Sequence, residues 1–292
     1  MGEEIALIDV DSKFGNLYLM QLSTHFKQLG YKVNLNEWNN PSKVYISCLF
    51  KKNRELALGR TKLFPNSEVF IGGTGINYRQ GNLEIAKLKP DYDLYPSSES
   101  LGRTTIGCIR NCPWCCVKEK EGEFQRWMKI ADFYDDRFDS VHLLDNNILA
   151  DKKWFLDNMD FIIENNLKLR EEGMDIRLLT PNIATKLQEI KIDGMLHFAW
   201  DNPKDEKKIL KGIEILKEAG FNVRREISFY ILVNFNTTKE EDIHRIKTLR
   251  NLDVNPFVMV YQDVKPADKW YKTLARLVNR KSIFWSKTFP YQ

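Results

Sequence analysis

The sequence predicts an α/β protein in which a small doubly wound, Rossmann-like domain precedes a (β/α)6 partial TIM-type barrel. Two observations carry that prediction. From residue 5 to 78 short β-branched runs alternate with helix-period segments, and from residue 104 onward a strand-then-helix unit recurs six times. Strands separated by helices are joined by crossovers, which makes the sheets parallel and lays helices on their faces. A third observation, three thiols crowded into one loop at the head of the second block, marks where chemistry is expected.

In the first block, residues 5–10 read as a buried strand and residues 16–29 as an amphipathic helix stopped by Gly30. Residues 32–35 and 44–50 give two more strands, residues 53–64 a helix, and residues 68–75 a strand running into Gly72-Gly73. Cys48 sits in an apolar run and reads as a buried small hydrophobe, and His25 as a half-buried core residue. Residues 79–100 hold Gly81, Pro90, Pro96 and a Ser97-Ser98-Glu99-Ser100 cluster with little periodicity, the pattern of a linker. The expected division is 1–100, 101–264 for the barrel, and 265–292 for a C-terminal helix and tail.

In the second block the expected strands are residues 104–107, 141–144, 175–179, 195–199, 227–233 and 257–261. Their helices are residues 123–135, 152–166, 183–189, 205–219, 239–250 and 268–279. The fourth helix is the clearest, with Ile209, Ile213 and Leu216 on one stripe and Gly220 as its stop. Repeated units of this kind curve into a barrel, and an incomplete barrel of six offers a substrate a lateral mouth.

The thiols are Cys108, Cys112 and Cys115, separated by three and then two residues. Soft sulfur ligands at such spacing select iron–sulfur clusters, zinc or copper(I) over hard cations. A structural zinc wants four Cys or His ligands, and neither a second Cys pair nor a His-x-x-x-His follows; Cys116 adjoins Cys115, and neighbours seldom point at one ion. Three thiolates suit a cubane whose fourth iron stays open. A zinc knot and a redox thiol cluster remain the alternatives.

The C-x3-C-x2-C loop, with Trp114 just before its third Cys, resembles the signature of the radical S-adenosylmethionine (radical SAM) superfamily. The resemblance implies a 4Fe-4S cluster on Cys108, Cys112 and Cys115, with S-adenosylmethionine chelating the fourth iron and Trp114 beside the cluster and adenine. It implies reductive cleavage to a 5′-deoxyadenosyl radical, one electron coming from a flavodoxin- or ferredoxin-type donor. The first block resembles the cobalamin-binding domain that precedes the barrel in one large group of these enzymes, which would put Gly72 and Gly73 near the nucleotide tail of cobalamin. It departs from that group in lacking an Asp-x-His-x-x-Gly stretch and in being short. With cobalamin bound the expected reaction is methylation of an unactivated carbon; without it, rearrangement, oxidation and ring formation stay open.

Chemistry in such barrels sits at the carboxyl ends of the strands. Past the second strand stand Asp145, Asn146 and Asn147, acceptors for the methionyl ammonium or an Asx turn capping the next helix. Past the fourth, Asp201 suits ribose hydroxyls, or an N-cap before Pro203. By the same resemblance Asn234 ends the strand beneath adenine, Tyr261 lies where backbone groups meet the adenine edge, and Asn182 faces S-adenosylmethionine or substrate. Arg177, Arg225, His142 and His197 fall at strand beginnings or within strands, where pairing and core roles are expected. Lys118-Glu119-Lys120-Glu121 alternates in sign like a solvated face. Arg110, between the ligands, either holds its loop to a carboxylate or touches the cluster's surroundings.

Composition bounds the remainder. No run of about 18 apolar residues offers a membrane span, the acidic start runs straight into a strand unlike a signal peptide, and four of five Cys share one loop; together these predict a cytoplasmic chain with metal rather than disulfides. A net charge of +4 argues only weakly for nucleic acid. The tail 265–292 interleaves basic residues with Trp270, Tyr271, Phe284, Trp285, Phe289 and Tyr291, a pattern for packing a final helix or for stacking on bases. No Cys follows residue 116, so the auxiliary clusters of peptide-modifying members are not expected. The competing class is a zinc- or iron–sulfur-stabilised binding protein without catalysis. The substrate has no general code and stays unknown.

Overall fold

A computed structural model describes residues 3–78, 81–262 and 268–291. The chain packs into two compact units, residues 1–144 and 145–292. The linker composition placed a division near residue 100; packing density divides the chain at a different point.

In the first unit, strands β1 (Glu4–Asp9), β2 (Lys32–Leu35), β3 (Lys43–Ser47) and β4 (Glu68–Gly72) form a parallel sheet in the order β2-β1-β3-β4. Its pleat sorts side chains by parity. Ile5 and Leu7 pack with Leu19, Leu22 and Phe26 of α1 (Leu17–Gln28), while Ala6 and Ile8 pack with Val44, Ile46, Cys48 and Ala57 of α2 (Arg54–Thr61). Burying alternate residues against helices on opposite faces is what a near-continuous apolar strand requires. Asn16 starts α1 by accepting from the Leu19 N–H, and its amide reaches Ser47 Oγ at 2.9 Å, tying the helix to β3.

The segment after residue 81 is strapped down. Gln21 donates to the carbonyls of Ala86 and Leu88, and the buried Tyr92 hydroxyl donates to the Phe133 carbonyl at 2.7 Å. Residues 79–80 lie outside the described residues.

Here the structure departs from the predicted pattern. The parallel strand is β5 (Ser100–Gly102), paired with β8 (Ser140–Leu143), whereas β6 (Thr105–Ile106) runs antiparallel to β7 (Gln125–Arg126). Of the expected helix over 123–135 only the short α4 (Ile130–Phe133) forms, and another short helix, α3 (Val117–Glu121), precedes that span. Gly122 has a φ of +78° and ends α3, the β7 pairing holds the next residues extended, and Asp132 restarts the helix by accepting from the Lys129 N–H.

In the second unit, α5 (Lys152–Glu164) leads to β9 (Lys168–Glu171), which pairs parallel with β10 (Lys191–Ile192) after α6 (Pro181–Gln188). The strand expected at 175–179 is a tight turn instead, because the Asp175 carboxylate accepts from the Arg177 N–H and from its guanidinium. Three charged residues in Lys-Leu-Arg-Glu hid the real strand, whose Leu169 and Glu171 are buried.

A second parallel sheet, β11-β12-β13, follows: β11 (Leu196–Ala199), β12 (Ile227–Val233) and β13 (Asn255–Val260). Between them come α7 (Glu206–Glu218), the short α8 (Val223–Glu226) and α9 (Lys239–Asn251). Gly212 lets α7 lie on the 176–178 turn, since a Cβ there would sit 2.2 Å from Ile176 Cγ1.

The chain ends in α10 (Lys269–Val278) and α11 (Lys281–Phe284). The rings of the tail are used in packing: Arg250 faces Phe284 and Phe289, and Arg224 lies 4.2 Å from the Trp285 ring centroid. Asn279 receives the Val258 N–H at 2.7 Å and donates to the Val258 carbonyl at 3.0 Å, as a neighbouring strand would. Asn279→Ala should therefore cost about 1–3 kcal/mol, read from chemical denaturation. Residues 265–267 and 292 of the tail lie outside the described residues. Among the described residues no helix is long and apolar enough to cross a membrane.

Candidate functional site

The thiol loop is built on a closed base. The chain leaves at Ile106 and returns at Gln125, the two ends being held by the β6–β7 pairing. Gly107 has a φ of +70°, and a Cβ on it would lie 2.3 Å from the Glu123 carbonyl oxygen, so the strands of the loop can cross only at glycine. Glu121 completes the closure: its carboxylate accepts from the Gly107 N–H at 3.1 Å and from Arg103 at 3.0 Å.

Lys118 and Glu119 are exposed, as the alternating charges lead one to expect, but Glu121 departs from that solvated face and is only 6 % exposed. The sequence offered a weak signal for it, an acid in the first helix after a Cys loop. Lys120 is held below its usual range by burial and by the Arg103 charge, opposed by Glu121.

Within the loop the Cys115 N–H donates to the Cys112 carbonyl at 3.0 Å, and the Arg110 N–H donates to Cys108 Sγ at 3.4 Å. Cys108, Cys112 and Cys116 are partly exposed, Cys115 is exposed, and Trp114 is half-buried. Among the described residues no three His, Cys, Asp or Glu side chains converge at metal-holding geometry. The donor set itself is soft: thiols on a short, closed-base loop, still reachable from outside. That chemistry fits a sulfide-bridged iron cluster rather than a hard cation.

Of the two glycines at the end of β4, Gly73 (φ +101°) has a packing reason, because a Cβ there would meet the Cys48 carbonyl oxygen at 2.3 Å. Gly72 has open space where a Cβ would be, which leaves its backbone approachable. Cys48 is buried as expected, and burial with the nearby Asp11 carboxylate pushes its thiol up.

In the second unit Asp145 and Asn147 are buried, and Asn147 Oδ1 has no hydrogen-bond partner among the described residues. The helix cap belongs elsewhere: Asp151 accepts from the Trp154 N–H at 3.0 Å. The cap proposed for Asp201 likewise falls to Asn202, which accepts from the Lys204 N–H. Asp201 instead accepts from the Leu232 N–H at 2.9 Å, and burial pushes its carboxyl up against the opposing pull of Leu232, Arg245 and Arg177.

Asn234 holds a left-handed φ of +67° and donates from its side chain to the Tyr261 carbonyl at 2.9 Å. The structure thus joins two predicted contacts, one from the end of β12 and one from the end of β13. Asn182 stands exposed in the first turn of α6 rather than past a strand. Arg177 is ion-paired with Asp175 and Asp205, as expected of it, but it follows β9 instead of opening a strand. His142 is wholly buried on Glu99, and His197 stacks on Tyr230.

What the sequence reading missed is Arg245 with Asp242, both wholly buried on α9 and in direct contact. Their spacing of three on a charged helix resembles any surface pair.

No protein-family model matches the sequence, and no curated relative does either. Among solved structures, the fold is shared with a radical S-adenosylmethionine methyltransferase. That protein is TsrM from Kitasatospora setae: the structure with cobalamin and a 4Fe-4S cluster bound superposes with a TM-score of 0.69 at 11 % identity, over 89 % of this chain and 75 % of that one. TsrM with tryptophan substrate and the S-adenosylmethionine analogue aza-SAM bound gives 0.68 at 11 % identity, over 89 % and 73 %.

Proposed function

We propose that the chain is a radical SAM enzyme whose reaction is a cobalamin-dependent methyl transfer. The observation that carries this reading is the three-thiol loop closed by Gly107 and Glu121, set in a fold shared with TsrM. Cys108, Cys112 and Cys115 would hold a 4Fe-4S cluster, and S-adenosylmethionine would bind beside it. When bound, the cluster supplies single electrons at low potential and cobalamin supplies methyl-transfer chemistry.

The chain's own residues bind and orient. Asn147, with its buried unpartnered oxygen, and Asp145 and Asn146 beside it offer acceptors to the methionyl ammonium. Asp201 offers a desolvated carboxyl to the ribose hydroxyls, and Asn234 with Tyr261 frames the adenine. Trp114 would lie against the cluster and adenine, and Gly72 would admit the cobalamin tail. The division 1–100, 101–264 and 265–292, with a Rossmann-like domain and a partial barrel, belongs to the same proposal, as do a cytoplasmic location and a flavodoxin- or ferredoxin-type donor. The substrate is outside the reading.

The test is anaerobic reconstitution followed by electron paramagnetic resonance of the reduced protein with and without S-adenosylmethionine. The same samples are assayed for 5′-deoxyadenosine, S-adenosylhomocysteine and bound corrinoid. A cluster signal that shifts with S-adenosylmethionine and disappears in Cys112→Ala supports the enzyme. Bound zinc, or a cluster that ignores S-adenosylmethionine, sinks it in favour of a metal-stabilised binding protein. Glu121→Gln is expected to keep the fold but lower the affinity for iron roughly 10–100-fold, read from an iron titration, the usual scale for losing a residue that orients ligands.

A further inference from the structure

We infer that Arg245 and Asp242 are positioning residues that preset the nucleoside-binding ends of β11 and β12. The inference rests on the proposed adenosine contacts of Asp201 and Asn234.

Arg245 reaches from α9 into the place where the two strands end. Its Nη1 donates to the Trp200 carbonyl at 2.6 Å and the Asp201 carbonyl at 3.0 Å, and its Nη2 donates to the Leu232 carbonyl at 2.9 Å and to the Asp242 carboxylate. The other Asp242 oxygen accepts from the Asn234 N–H at 3.4 Å. Asp201 closes the circuit by accepting from the Leu232 N–H at 2.9 Å. One planar fork therefore fixes three carbonyls, and its counter-ion fixes the residue that stands at a φ of +67°. Only Arg offers donors in that arrangement; Lys has a single rotating ammonium.

Stability alone is a poor reason for such a pair. Two charges taken wholly out of water lose about as much hydration as they gain from one another, and apolar residues of like volume often serve a core equally well. What apolar residues cannot do is hold the Asp201 and Leu232 backbones in register while orienting Asn234 toward Tyr261. The pair sits under two side chains assigned to the ribose and adenine and joins them in one rigid circuit.

The test measures equilibrium binding of radiolabelled S-adenosylmethionine and of 5′-methylthioadenosine, which lacks the amino-acid half, to cluster-loaded protein. The variants are Asp242→Leu with Arg245→Met, Asp201→Ala, and all three together. The double variant removes both charges at once and is expected to fold and keep its cluster, with a thermal midpoint lowered by the loss of a donor to three carbonyls, while weakening both ligands by about tenfold or more. In the Asp201→Ala background the same pair of substitutions should add little, because the residue it positions is gone.

Arg245→Lys, which keeps the charge and loses the fork, is the companion if the double variant does not fold, with a loss in both ligands expected again. Wild-type protein that binds while the folded variants bind equally well overturns the inference alone. So does an equal loss with and without Asp201. Wild-type protein that binds neither ligand overturns the nucleoside reading beneath it.

Discussion

Arg245→Ala is expected to lower the unfolding free energy by about 3–5 kcal/mol, the scale for breaking a buried ion pair from one side. Asp242 would be left ionised in a wholly buried place, and the carbonyls of Trp200, Asp201 and Leu232 would lose their donor. Chemical denaturation of the two proteins measures the difference, and a loss under about 1 kcal/mol would show that water reaches the site.

The cost should also depend on pH. Burial already pushes the Asp242 carboxyl up against the opposing pull of its partners, Arg245 among them, and removing that guanidinium pushes it higher. A carboxyl with a raised folded pKa loses stability progressively from its unfolded value, here about 4, up to its folded value, keeps the whole penalty above that, and carries none below about 4. The gap between variant and wild type should therefore narrow as the pH falls toward about 4, leaving the share owed to the carbonyls that lost their donor.

The second large effect is expected at Gly107. Gly107→Val places a branched side chain at a φ of +70° and at 2.3 Å from the Glu123 carbonyl oxygen. The backbone conformation alone costs about 1–2 kcal/mol for a residue with a Cβ, and the clash adds to it. The cheapest relief is to part the Gly107 and Glu123 segments, which opens the loop and releases the Glu121 carboxylate from the Gly107 N–H. Iron and sulfide should fail to load, whereas circular dichroism and the cooperativity of unfolding should stay near wild type. Full iron loading in Gly107→Val would show that the closed base has no part in holding the thiols.

Much of this was legible in the sequence where local and tertiary demands agreed. Residues 227–233 are apolar but for Ser228 because both faces of β12 are covered, and the strand falls where expected. The helix at 205–219 announces itself through a stripe that is in fact buried. The errors have physical causes. Lys-Leu-Arg-Glu at β9 buries a glutamate, which no hydropathy pattern can signal. The 123–135 region has enough helix formers for one helix, but the antiparallel return of the thiol loop overrides them.

The site divides in the same way. The thiols and the strand-end amides are visible because their residue types carry chemistry. Glu121 and Arg245 were hidden because a buried charge and a surface charge are the same letter; only the fold says which is which.

Asn279 has one more consequence. β13 is the outer strand of its sheet among the described residues, and an outer strand normally offers unpaired amides to any passing chain. At Val258 both backbone groups are already taken by an amide side chain, so the edge is filled at its centre by a residue that cannot extend it. That is a barrier to self-association built from one side chain. Its signature would be slow amide hydrogen exchange at Val258, and in Asn279→Ala a rise in aggregation rate with concentration that the loss of stability does not account for.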